Sequence, residues 1–85
     1  MNDPELGKLR WRCRRGMKEL DVLLTRYLDE QYSGAPAGQQ QAFRDLLDSP
    51  DPLIYAYFLG RQMPADATLS LVLQRITAAA TNDRY

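Results

Sequence analysis

The stretch MKELDVLLTRYLDE, residues 17–30, decides the fold. Leu20, Leu23, Leu24, Tyr27 and Leu28 recur at intervals of three and four, the spacing of one face of an α-helix, and Asp29 and Glu30 close its polar end. A half-buried strand would alternate every second residue, and no segment of the chain keeps that alternation long enough to count. Upstream, Leu6, Leu9 and Cys13 mark a short amphipathic first helix. Asp3 and Pro4 open it as N-cap and first helical residue, and Gly16 is expected to end it as a left-handed cap. Downstream, SGAPAG (33–38) reads as a loop.

A third helix follows in QQQAFRDLLD (39–48), burying Ala42, Phe43, Leu46 and Leu47. SPDP (49–52) stops it, and Asp51 with Pro52 repeats the start signature for a fourth. That helix, LIYAYFL (53–59), is apolar nearly all round, so its expected place is the centre of the core, with its end near Gly60. After MPAD (63–66), Asp66 caps a fifth helix carrying Leu69, Val72, Leu73 and Ile76 inward. Residues 81–85, TNDRY, read as a fraying tail. The expectation is an all-α fold: a small bundle of about five short helices, forming a single helical domain over residues 1–85.

Composition narrows the chemistry. Eighty-five residues are too few to divide into two cores. With one cysteine, Cys13, and no histidine, an intramolecular disulfide is impossible and a Cys/His zinc site lacks ligands. A lone thiol without staples fits a reducing interior. The amino terminus resembles neither a signal nor a transit peptide, and the apolar runs are far short of a membrane span, so the expected compartment is the cytoplasm, with no membrane partner. Lacking histidine, the chain lacks the commonest general base, and its glycines form no phosphate loop. No enzyme is legible. Cys13 falls on an apolar face, as a core residue would, although nearby arginines could lower its pKa. Acids such as Asp45 and Asp48, or Asp29 and Glu30, read as solubilising charge.

The net charge is zero but unevenly spread. Residues 6–18 hold Lys8, Arg10, Arg12, Arg14, Arg15 and Lys18 and no acid, whereas the remainder holds five cations against eleven acids. Such a basic pole suits an acidic surface or a phosphate, and equally a solvated helix face. At its end, WRCRRGMKELD (11–21) breaks at a glycine. One reading makes this a helical corner, with Gly16 the N-cap of the second helix and Glu19, at its third position, opposing the helix dipole. Trp11, Arg14 and Arg15 are then left over. Trp11 lies off the Leu6/Leu9/Cys13 stripe, and an exposed tryptophan beside arginine is typical of binding hot spots. A bare glycine also admits a second backbone closely. The residues therefore point to an interaction module with a basic, glycine-cornered patch formed by Trp11, Arg14, Arg15 and Gly16.

This stretch resembles the signature of the FAD assembly factor family (SdhE-type, related to the mitochondrial succinate dehydrogenase assembly factors). Arg15, Gly16 and Glu19 match its Arg-Gly-x-x-Glu motif, which implies Glu19 as a partner-binding residue beside Trp11, Arg14, Arg15 and Gly16, and the similarity extends through Cys13, Leu20 and Asp21 to LLDSPDP and MPAD. Tyr57 stands where family members often carry tryptophan. The resemblance implies a chaperone-like factor that binds the flavoprotein subunit of succinate dehydrogenase or fumarate reductase. It would promote covalent attachment of FAD to a histidine of that subunit. FAD would be the partner's cofactor, with none bound here, and the free factor is expected to be a monomer. The rival reading is a small DNA-binding regulator using the basic segment 8–18 and the second helix. Zero net charge, a pI near 6.1 and the apolar periodicity of that helix count against it, so no nucleic acid is expected. A factor that blocks another protein would use the same surface and differ in its partner.

Overall fold

The computed structural model describes residues 4–82. In order, these are α1 (Pro4–Arg12), α2 (Lys18–Glu30), a 3₁₀ turn (Tyr32–Gly34), α3 (Ala37–Leu47), α4 (Asp51–Phe58) and α5 (Ala67–Asn82), with no strand among them. The fold is all-α, as the spacing of the apolar residues requires. The proposed cap at Asp3 lies outside the described residues, as do residues 83–85 of the expected tail. Thr81 and Asn82 are still helical.

The α5 helix packs against α3 and α2, and the core forms where their apolar stripes meet. Leu20, Leu24, Tyr27 and Leu28 of α2 face Ala42, Phe43, Leu46 and Leu47 of α3 and Val72, Leu73 and Ile76 of α5, all buried. Leu9 and Cys13 close the cluster from the α1 side. Aromatic rings fill its middle: Tyr27 lies 4.8 Å and Tyr32 5.6 Å from Phe43, both tilted as ring quadrupoles prefer.

Several local expectations are corrected. Only Ala35 and Pro36 of SGAPAG remain outside regular structure, because a 3₁₀ turn takes Ser33 and Gly34 and α3 starts at Ala37. Gly16 does not have a positive φ; the left-handed glycine is Gly60, at φ 77°. There the Arg61 amide donates to the Ala56 carbonyl (2.9 Å) and the Gly60 amide to that of Tyr57 (3.1 Å), the paired bonds of a Schellman stop. Lastly, α4 is not the centre of the core. Only Ile54 is fully buried, the other residues of LIYAYF are half-buried, and Leu59 just beyond is 46% exposed. An eight-residue helix is only about 12 Å long, and the three longer helices already fill the interior. Of the two acidic starts, Asp66 does cap α5, accepting from the Thr68 amide at 3.0 Å. Asp51 does not cap α4. Pro50 holds that position, and Asp51 is the first helical residue.

Candidate docking corner

Residues 13–17 join α1 to α2, and their side chains alternate. Cys13 is fully buried, Arg14 exposed, Arg15 partly buried, Gly16 exposed and Met17 packed against the core. Burial thus alternates along the segment, and three residues turned inward as pegs present Arg14 and Gly16 between them. The Cys13 amide donates to the Leu9 carbonyl at 3.0 Å and ends α1, while the Met17 carbonyl accepts from the Leu20 and Asp21 amides and begins α2.

On the outer side, Trp11 is 70% exposed and the Arg14 guanidinium lies over its ring, 5.1 Å from the centroid. Such a cation–π contact holds both groups in place at a modest gain of about 0.5–1 kcal/mol on a wet surface. Gly16 is open: a β-carbon built there would meet no atom within 4 Å. Glu19 is exposed in the first turn of α2, where a carboxylate opposes the dipole, and has no hydrogen bond or ion pair with a described residue. It is the second helical residue rather than the third, because Met17, not Gly16, is the N-cap, and no side chain caps the helix.

The inner side differs. Arg15 is 13% exposed, donates from Nη1 to Asp51 Oδ1 at 3.2 Å, and donates from Nη2 to the carbonyl of Leu47. Arg12 forms an ion pair with Asp48 and reaches the Arg44 carbonyl at 3.4 Å. Both arginines thus meet the last turn of α3, whose terminal carbonyls lack helical partners and whose dipole end favours cations. A third pair joins Arg10 to Asp29 across α1 and α2. Half of the six cations at the basic pole are therefore neutralised within the fold, and Lys8, Arg14 and Lys18 are left without a carboxylate among the described residues. Asp29 and Asp48, read from sequence as solubilising charge, belong to these pairs. No local sequence signal marks them, because their arginine partners lie 19 and 36 residues away in the chain.

The cysteine is an inward peg. Burial pushes the Cys13 thiol up to about 11, against the opposing pull of Arg15 and Arg10, so it is protonated at neutral pH and unsuited to nucleophilic chemistry. The second helix is equally unsuited to DNA. Its apolar face is spent on the core, and Glu19, Asp29 and Glu30 are exposed on the rest, where they would repel phosphates. Among the described residues no helix is long and apolar enough to cross a membrane.

The profile of a family described as "Flavinator of succinate dehydrogenase" matches residues 7–80, which include the entire corner. A FAD assembly factor SdhE of Coxiella burnetii is 40% identical over 77 residues, covering 89% of this chain and 94% of its own. One from Pseudomonas aeruginosa is 41% identical over 75 residues, covering 88% and 89%. The solution structure of a UPF0350 protein superposes with a TM-score of 0.77 at 30% identity, over 96% of this chain and 88% of that one.

Proposed function

The chain belongs to the family of flavinators of succinate dehydrogenase, and from that premise we propose that it is an assembly factor that binds the flavoprotein subunit and promotes covalent attachment of FAD to it. The observation carrying this reading is the family match across residues 7–80, within which the exposed Trp11–Arg14 pair and open Gly16 form a prepared surface. The chain has no histidine and its thiol is buried, which supports a non-catalytic role. The flavin and its attachment site then belong to the partner. This chain contributes by holding the partner's domains so that the reacting groups meet in productive geometry, an effect on the order of 7 kcal/mol in ideal cases. Trp11, Arg14, Gly16 and Glu19 are the contact residues, and Arg15 shapes the surface from beneath. The factor is a monomer when free and works in the cytoplasm.

The test is co-expression of the flavoprotein subunit with and without this chain, followed by denaturing electrophoresis and in-gel flavin fluorescence. Covalent flavin should rise strongly with the chain present, and equal signals in both lanes would refute the proposal. Binding should also weaken as salt shortens the Debye length from about 10 Å toward 3 Å, through the three unneutralised cations at the basic pole.

A further inference from the structure

We infer that Asp51, in the first turn of α4, is a positioning residue for the docking corner: acting through Arg15, it sets the path of residues 13–17 and so the placement of Arg14 and Gly16 against the partner. The inference rests on the corner being the docking surface. Of the three inward pegs, Cys13 and Met17 are held by the core itself. The middle peg is a cation, and apolar burial cannot hold a cation. Arg15 stays in place because its two terminal nitrogens are forked between Asp51 and the Leu47 carbonyl, one acceptor on α4 and one on α3. A planar guanidinium held at two points is fixed in orientation as well as position.

Asp51 is itself 26% exposed at the side chain, and no other carboxylate pairs with Arg15 among the described residues. Moreover, the Nε of Arg15 is buried without a hydrogen-bond partner among the described residues. Removing the Asp51 charge leaves a desolvated cation whose remaining strong acceptor is one carbonyl. Its easiest relief is to turn outward into water. Arg14 and Gly16 are its chain neighbours, so a backbone shift that carries Arg15 outward takes both with it and moves Arg14 off the Trp11 ring. Asp51 therefore governs a surface that it does not belong to.

Trp11 is the sole tryptophan, so its fluorescence reports on the corner. The experiment compares the full chain with Asp51→Asn, Arg15→Gln, the double variant and Arg14→Ala. Affinity for the flavoprotein subunit, acrylamide quenching of Trp11 in the free protein and a melting curve are measured for each. Asp51→Asn should weaken binding about tenfold or more, as loss of a hot-spot contact does. It should alter Trp11 quenching at a temperature where the protein is fully folded, and the double variant should bind no more weakly than the weaker single, since the two residues act as one unit. If Arg14→Ala loses binding while Asp51→Asn keeps both affinity and quenching, the corner remains the docking surface and the inference falls. If Asp51→Asn loses binding with Trp11 unchanged and losses that add in the double variant, Asp51 touches the partner directly and the inference also falls. If Arg14→Ala and Asp51→Asn both bind normally, the docking reading and the inference fall together. Should Asp51→Asn fail to fold, Asp51→Glu, which keeps the charge and moves it by one methylene, is judged by the same three readouts.

Discussion

The corner at residues 13–17 and the helix α4 at 51–58 invert what their compositions suggest. The corner sits in the most cationic stretch of the chain, yet it drives Cys13 and most of Arg15 out of water. The α4 helix has no charged residue after Asp51, yet only Ile54 is fully buried. Burial in a small bundle follows from where an element sits relative to the three long helices, and residue type decides only what must accompany it. The corner is threaded between α1 and α2 and meets the end of α3 and the start of α4, so its cation brings the α4 carboxylate of Asp51. Lying at the side of α2 and α5, α4 can leave apolar area half covered without charge.

The largest expected effect concerns that one buried side chain. Ile54→Ala should lower stability by about 2–5 kcal/mol in urea unfolding, the range for a fully enclosed aliphatic residue. Leu59→Ala, just past the end of the same helix, should stay within about 0.5 kcal/mol, as exposed positions do. Equal losses would mean that the two sites are equally buried and that α4 is central after all.

Next comes the corner's buried thiol. Burial raises its pKa to about 11 in the fold, above the ordinary value of 9.0. The raised folded value means that the protonated form is favoured in the fold. Its contribution is therefore fully present below pH 9 and is lost as pH rises through 11. Two pK units correspond to roughly 2–3 kcal/mol. Stability measured from pH 8 to 11 should fall less steeply in Cys13→Ala than in the parent. Parallel curves would show that the thiol is wet.

Glycine separates the two regions further. Gly60→Ala, at a positive φ, should cost about 1 kcal/mol or somewhat more, whereas Gly16→Ala should stay within about 0.5 kcal/mol because neither φ nor space opposes the methyl group. Gly16→Arg should melt near the parent yet lose the flavoprotein subunit, with Gly16→Ala retaining part of the binding. Equal binding by the two Gly16 variants would remove this glycine from the contact surface. The smallest effect is expected at Arg10–Asp29, whose partners are about half exposed. Asp29→Asn should barely move the melting temperature, and less still as salt is raised. A larger loss would make this outer pair resemble Arg15–Asp51.

Much of the fold was legible because a helix writes itself into sequence at short range. The stripes Leu20/Leu24/Tyr27/Leu28, Phe43/Leu46/Leu47 and Val72/Leu73/Ile76 all face inward as their spacing requires. Trp11, off its stripe, is exposed as expected. The misplacements arose wherever a residue has two local uses. Asp51 before Pro52 looks like a cap, and Gly16 after a basic run looks like a helix stop. Each is locally reasonable, and a distant partner or an alternative cap took precedence.

By itself, then, the sequence determined the helices, their inward faces, the lack of resident histidine chemistry and the presence of an Arg-Gly-x-x-Glu corner. All of these depend on residue types and on spacings within one or two helical turns. Only the tertiary structure decided which arginines are free. The pairs that consume Arg10, Arg12 and Arg15 span 19, 36 and 36 residues. A charge shows its sign in the sequence, but its neutralisation depends on which helix end is brought within a few ångströms of it, and packing of the long helices sets that distance.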